Sequence, residues 1–245
     1  MMNKKPAPRK PTDRKKVAIT CLALSAWTMA VVFGAQYLVA YPMHWILGDN
    51  LNSPVWSAIY TALVYSLSLV LIALLPWKLF KKWKTSREEL GLSGLPTWTD
   101  IGLAPIGYAV SILLAYVLTA AFSLFPWFNA AEAQNVGFSN ISSGLDRVVA
   151  FLALAVVAPI AEELIFRGWL YGKLRAHVNM AVSIIIVSLL FAIAHLQWNV
   201  GVTVFAMSVV NCLLREITGT IYSGTILHII RNAIAFYAVF ILGIA

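Results

Sequence analysis

Apolar residues fill long stretches of this chain of 245 residues, and polar residues gather in the gaps between those stretches. An α-helix rises about 1.5 Å per residue, so about 20 apolar residues are enough to cross the hydrocarbon core of a bilayer. The stretches 54–75 and 101–125 are apolar on every face, whereas the strands of a membrane β-barrel alternate apolar and polar residues. The pattern therefore predicts an all-α fold, a polytopic transmembrane helical bundle.

About seven spans are predicted, with six to eight as the range, because Arg231 interrupts the last apolar stretch. The chain then divides into a basic, Pro-rich arm at 1–16, which is predicted to be disordered, N-terminal helices at 17–145 and a second set of helices at 146–245. The predicted spans are 17–41, 54–75, 101–125, 147–175, 179–196, 200–215 and 220–243.

The composition agrees with a membrane protein, since 60% of the residues are hydrophobic and only 11% are charged. The formal net charge of +8 is unevenly distributed, because Lys and Arg cluster at 4–16 and 78–87 while 101–146 contains neither. This asymmetry is the positive-inside pattern, which predicts a cytoplasmic N-terminus. It explains the positive net charge, so no nucleic-acid partner is predicted. The expected partner of the basic residues is the lipid bilayer, and the small size and short loops favour a prokaryotic plasma membrane.

Ionisable residues lie inside the apolar stretches of the second half, although a charge at mid-membrane costs about 2.5 to 3.5 kcal/mol on insertion scales. Glu162 and Glu163 are adjacent in the fourth predicted span. Glu163 and Arg167 are i and i+4, the spacing and order that favour an ion pair along a helix. Glu162 points about 100° away around the helix, so its partner is expected from another helix.

Two further spans supply side chains that can meet Glu162. Phe191 and His195 share one helix face in the fifth predicted span, and His228 and Asn232 share one in the last. A carboxylate, two imidazoles and an amide suit the hydrolysis of a peptide bond. The carboxylate removes a proton from water, an imidazole positions that water, and His and Asn donors stabilise the oxyanion of the tetrahedral intermediate.

Each of these features also has a purely structural interpretation. A Glu163–Arg167 pair in a membrane helix is more often structural than catalytic, and a lone His in a span often bonds a neighbouring helix. On this interpretation the protein is a non-catalytic membrane scaffold or a bacteriocin-immunity protein. A proton-coupled transporter with Glu162 as its proton site is a third hypothesis, but the sequence has no visible internal repeat to support it.

Three motifs follow one another on successive apolar helices: Glu-Glu-x-x-x-Arg, then Phe-x-x-x-His, then His-x-x-x-Asn. These motifs, within about 147–235, resemble the CPBP family of intramembrane proteases, also called the CAAX prenyl protease 2 and bacteriocin-processing or Abi family. The resemblance implies that 146–245 is a catalytic transmembrane core. It also implies an endopeptidase that cuts a membrane-associated or lipid-modified, CAAX-like peptide.

The resemblance further implies a role for each residue of the motifs. Glu162 is the implied general base, and His195 lies beside the water that Glu162 activates. His228 and Asn232 are the implied oxyanion donors. The side chains that would support these four are Glu163, Arg167 and Phe191.

A metal-free glutamate protease is favoured, so no cofactor is predicted. Glu162, His195 and His228 nevertheless form a His₂Glu set, which could hold zinc with an open fourth position, and a metalloprotease is the alternative. A zinc hydrolase also needs a separate base, and Glu163 is committed to Arg167. The identity of the substrate and the oligomeric state do not follow from the sequence.

The predicted boundaries leave a conflict in depth. If the fourth helix runs from outside to inside from Arg147, Glu162 lies nearer the cytoplasm, whereas His195, late in the fifth helix, lies nearer the outside. Two arrangements remove the conflict. Either the fourth helix is long and tilted, with Glu162 near its middle, or the boundaries shift by a turn or more.

Overall fold

The computed structural model describes residues 13–134, 138, 141 and 143–243, and the secondary structure of that part is helical, without strands. Seven main helices follow one another there, which confirms the predicted all-α bundle. Six of them are long and apolar enough to cross a membrane, and α5 is shorter. The helices are α1 (Asp13–Leu47), α2 (Pro54–Ala73), α3 (Trp98–Phe122), α4 (Gly144–Arg175), α5 (Met180–Ile193), α6 (Trp198–Thr218) and α7 (Tyr222–Phe240).

The start of α1 differs from the prediction. Residues 1–12 of the predicted arm lie outside the described residues, but 13–16, which were expected to be disordered, are helical. Arg and Lys are good helix formers, so the first span continues past its apolar stretch into its basic flank. At the other end of α1, a 3₁₀ turn at Gly48–Asn52 leads into α2, and a short helix, Leu75–Phe80, continues α2.

Polar caps explain where several helices begin and end. Thr97 and Asp100 form a capping box at the start of α3, and Ser143 and Asp146 form another at the start of α4. In each box the hydroxyl accepts from a backbone N–H in the first turn, and the carboxylate accepts from the N–H of the cap residue. Gly219, with φ of 74°, ends α6 in the left-handed conformation that favours glycine.

Helix α4 is irregular, and its irregular turns flank the two carboxylates. A π-helical turn at Leu152–Val157 precedes the regular segment Ala158–Glu163, and a second π-helical stretch at Leu164–Tyr171 follows it. π-helical turns are rare in proteins, and many of those that occur lie at functional sites. These turns change the helical phase before and after the regular segment. The angle of about 100° between Glu162 and Glu163, which assumes a regular α-helix, therefore holds only within that segment.

The lengths of α4 and α5 resolve the conflict in depth. Helix α4 has 32 residues and α5 has only 14. At about 1.5 Å per residue, Glu162 lies about 20 Å from the end of α4 at Arg175, and His195 lies about 22 Å beyond the start of α5 at Met180. The two side chains therefore reach similar depths, because α4 is long with Glu162 towards its middle.

The core lies where α4 packs against α2, α5, α6 and α7. Helix α3 lies along α6 and α7, and α1 packs mainly against α2. Large apolar side chains on the outer faces of α1 and α3 are exposed, as expected for surfaces that contact lipid. The largest buried side chains of the core include Trp169, Tyr171, Phe166, Phe191 and Leu170.

A segment at 81–97, between α2 and α3, crosses the ends of α4, α6 and α7. Arg215 donates to the backbone carbonyl of Leu90 at 3.0 Å, and Lys173 donates to the carboxylate of Glu89 at 2.9 Å. Burial opposes ionisation of Glu89, but the bonds from Lys173 and from the backbone N–H of Ser86 outweigh it and lower the pKa of Glu89. Basic residues of distant segments therefore meet at one end of the bundle.

Candidate active site

Glu163 lies at the centre of a buried polar cluster. Its side chain is fully buried, and its Oε1 atom is 3.0 Å from a guanidinium nitrogen of Arg167. The same oxygen accepts hydrogen bonds from Nδ2 of Asn211 at 2.9 Å and Nδ1 of His228 at 3.0 Å. The i, i+4 pair predicted from sequence is present, and it joins α4 to α6 and α7. Two hydrogen bonds and one ion pair at the same carboxylate oxygen keep Glu163 in place.

Glu162 occupies a different environment, although it is the next residue in the chain. Its side chain is 17% exposed, and its Oε1 accepts a hydrogen bond from the hydroxyl of Tyr65 in α2. Its other oxygen, Oε2, is 3.7 Å from Nε2 of His228, which is beyond a direct hydrogen bond. The partners of Glu162 thus come from other helices, as predicted, and the side chain remains partly exposed.

His195 lies just beyond the end of α5 and packs against Phe191. Its Nδ1 is 2.8 Å from the backbone carbonyl of Phe191, and the two rings are in edge contact with centroids 4.9 Å apart. A carbonyl oxygen can only accept, so Nδ1 carries the proton, and in the neutral imidazole Nε2 is a free acceptor. The same Phe191 ring contacts His228, with centroids 5.9 Å apart, and stacks under the guanidinium of Arg167.

His228 connects the two carboxylates. It is buried in α7, with Nδ1 facing Glu163 at 3.0 Å and Nε2 facing Glu162 at 3.7 Å. A carboxylate accepts hydrogen bonds, so Nδ1 is the donor to Glu163. In the neutral ring Nε2 is then an acceptor. It can donate a hydrogen bond only when His228 is the imidazolium.

Asn232 lies one turn beyond His228 in α7. Its amide nitrogen donates to the backbone carbonyl of Leu154 in α4 at 2.9 Å, and its amide oxygen accepts from Arg231 at 3.2 Å. Arg231 also approaches the hydroxyl of Thr203 in α6 at 3.4 Å. The contacts of Asn232 therefore lie on the α4 side of the site, and one of its two N–H groups is already used.

Three residues of this cluster were not assigned from sequence. Tyr65 gave no usable signal, because a Tyr in an apolar span has several ordinary roles and its partner is 97 positions away. Asn211 did give a signal, since an amide within a long apolar stretch needs a polar partner. Arg231 interrupts the last apolar stretch, but the sequence does not indicate that Asn232 is its partner.

The predicted His₂Glu set is not gathered into a metal site in this structure. Within the described residues, no three His, Cys, Asp or Glu side chains converge as metal ligands. In the predicted His₂Glu set, His228 directs Nδ1 to Glu163, His195 directs Nδ1 to a backbone carbonyl, and Glu162 accepts from Tyr65. Each side chain is therefore oriented by a protein partner.

Comparison with known proteins addresses the family. Residues 144–234 match the model of the Rce1-like family, type II CAAX prenyl endopeptidases. The chain is 27% identical over 136 residues to the UPF0177 protein YxdF of Lactococcus lactis, which covers 53% of this chain and 67% of that protein. It is 26% identical over 144 residues to the uncharacterized protein YpbD of Bacillus subtilis, which covers 57% of this chain and 71% of that protein. No solved structure matches significantly.

The matched residues run from α4 into α7 and contain all three motifs, including both carboxylates and both imidazoles. The resemblance to the CPBP family of CAAX-type membrane proteases is therefore confirmed for residues 144–234.

Proposed function

We propose that this protein is an intramembrane endopeptidase that hydrolyses a peptide bond in a membrane-associated or lipid-modified, CAAX-like peptide. The match of 144–234 to prenyl endopeptidases supports a protease in general. Six helices that are long and apolar enough to cross a bilayer support a site within the membrane. The proposed localisation is a prokaryotic plasma membrane, with the N-terminus in the cytoplasm.

One observation carries the proposal: two adjacent carboxylates have opposite environments. Glu163 is fully buried, with two hydrogen bonds and the ion pair with Arg167 at one oxygen, whereas the Glu162 side chain is 17% exposed and its Oε2 is 3.7 Å from His228. A scaffold needs only the first kind of carboxylate. An accessible carboxylate beside an imidazole in an apolar bundle costs stability and is expected only where it performs chemistry.

The proposed reaction begins with a water beside Oε2 of Glu162 and Nε2 of His228. These atoms are 3.7 Å apart, so one water can lie within hydrogen-bond reach of both. Glu162 takes a proton from the water as the water oxygen attacks the peptide carbonyl carbon. The same carboxyl then gives that proton to the leaving nitrogen as the C–N bond breaks. Tyr65 holds Glu162 at Oε1, and the Nε2 acceptor of His195 is the second group proposed to orient the water.

The oxyanion needs donors, and two side chains are proposed to supply them. His228 can donate from Nε2 only as the imidazolium, because in the neutral ring the single N–H is the Nδ1 group that donates to Glu163. Asn232 has one N–H left after its bond to Leu154. Loss of a single oxyanion donor costs about 10²- to 10³-fold in kcat in enzymes of this type of chemistry.

The first test replaces the proposed base without changing its shape. Glu162→Gln keeps the side-chain volume but cannot accept the proton, so we expect cleavage of a quenched, farnesylated peptide in liposomes to fall by about 10²- to 10⁴-fold. Glu88→Gln, at an exposed residue of the 81–97 segment, is the matched control and should cleave normally. Full cleavage by a folded Glu162→Gln protein would refute the assignment of the base, and a wild-type protein without peptidase activity would favour a scaffold.

The second test addresses the metal. We propose that the reaction needs none, so the purified protein should hold far less than one zinc per chain and keep its activity after exhaustive treatment with a chelator. Elemental analysis and peptide cleavage on the same preparation check both points. Stoichiometric zinc, whose removal abolishes cleavage and whose return restores it, would instead support the metalloprotease alternative with Glu162, His195 and His228 as ligands.

A further inference from the structure

The first π-helical turn of α4 leaves the backbone carbonyl of Leu154 without its two usual donors. In a helix, the carbonyl of Leu154 is reached by the N–H of residue 158 or, in a π turn, of residue 159. The N–H of Ala158 donates to the carbonyl of Ala153 instead. Residue 159 is a proline, which has no N–H. Neither of these two backbone positions therefore supplies a donor to Leu154.

Asn232 of α7 satisfies this carbonyl. Its Nδ2 donates to the oxygen of Leu154 at 2.9 Å, while its Oδ1 accepts from a guanidinium nitrogen of Arg231 at 3.2 Å. A carbonyl only accepts and a guanidinium only donates, so the two contacts agree on which end of the amide is nitrogen. The amide is thus fixed at both ends, and a single N–H remains for another partner.

The same segment of α4 carries the proposed base. Pro159 and Glu162 are three residues apart in the regular segment Ala158–Glu163, so they lie near one face of it. The bond from Asn232 therefore ties the proposed oxyanion donor to the helical turns that position Glu162. A free carbonyl in an apolar environment is costly, which makes its pairing with an amide from another helix favourable.

We propose that Pro159 is a positioning residue: by withholding an N–H from the carbonyl of Leu154, it creates the acceptor that orients the amide of Asn232. This inference rests on the proposed function for its catalytic consequence. The structural part of the inference, that the Asn232–Leu154 bond depends on Pro159, does not rest on the proposed function. In Pro159→Ala the new N–H reaches the Leu154 carbonyl, competes with the amide and frees it to rotate.

A thermal double-mutant cycle tests the dependence without any substrate. Asn232→Leu, which keeps the volume and removes the amide, should lower the Tm by about 2–4 °C when residue 159 is proline. The same change should shift the Tm by about half as much in a Pro159→Ala background, because the backbone then satisfies Leu154 and only the bond from Arg231 to Oδ1 is lost. Equal shifts in the two backgrounds would overturn the proposal.

Peptide cleavage tests the consequence for catalysis. Pro159→Ala should lower kcat about 10²-fold with KM unchanged, and adding Asn232→Leu should lower it little further, since the amide is already misplaced. Pro105→Ala, at the proline inside α3, is the matched control and should leave kcat unchanged. Multiplicative losses in the double variant would overturn the proposal. An inactive wild type would refute the proposed function, and the thermal cycle would still decide the contact.

Discussion

Glu162 and Glu163 are neighbours in the chain, but they point in different directions around α4 and therefore have different environments. Glu163 points towards α6 and α7, where Asn211 and His228 donate to it, and it is completely buried. Glu162 points towards α2, where the Tyr65 hydroxyl meets it, and it stays partly exposed. The same functional group thus holds the helices together at one position and remains accessible for chemistry at the next.

Tyr65→Phe removes the hydroxyl that bonds Glu162 and keeps the ring. Hydrogen bonds to charged groups contribute about 1.5–3 kcal/mol, so we expect kcat to fall by about 10- to 100-fold, less than for Glu162→Gln. Tyr60→Phe, in the same helix, is the control, because Tyr60 packs against the separate apolar cluster of α1 and α2. Unchanged kcat in Tyr65→Phe would mean that Tyr65 does not hold the base.

At the scale of the helix, sequence predicts what depends on neighbours along the chain. The apolar stretches located all seven helices, and the i, i+4 spacing located the ion pair of Glu163 and Arg167. The apolar pattern predicts the start of α3 at 101, but the helix begins at Trp98, because the capping box of Thr97 and Asp100 precedes the apolar stretch. Local patterns therefore give the elements, with errors mainly at their ends.

The features of α4 and α5 that complete the site could not be predicted in the same way. The π turns of α4 arise where backbone bonds shift by one residue, and hydropathy does not depend on that shift. The end of α5 at Ile193 leaves His195 in a turn, bonded back to Phe191, whereas the apolar pattern continued the helix to 196. Hydropathy records neither feature, so the sequence predicts which residues pair within each motif but not the depth at which the motifs meet.

At the scale of the whole molecule, charge and aromatic residues separate to opposite ends of the bundle. Lys173, Arg175 and Arg215 join the 81–97 segment and Glu216 at one end. An aromatic cluster lies near the other end, where α3 finishes and α6 begins, as in the interfacial belts of membrane proteins. Its members are Phe122, Phe125, Trp127, Phe128 and Trp198. The two ends of the bundle therefore differ in character, and Glu162 lies about 20 Å from the basic end.

This polarity predicts which side of the membrane each end faces. Both native cysteines, Cys21 and Cys212, are buried, so an introduced cysteine can be labelled over a low background. In intact spheroplasts, a membrane-impermeant maleimide should label Ala130→Cys, near the aromatic cluster, and should spare Ser93→Cys, which is exposed in the 81–97 segment. Both should react after permeabilisation, which serves as the control for accessibility. Labelling of Ser93→Cys alone in intact cells would invert the proposed orientation, and with it the side from which a peptide reaches Glu162 by the shorter path.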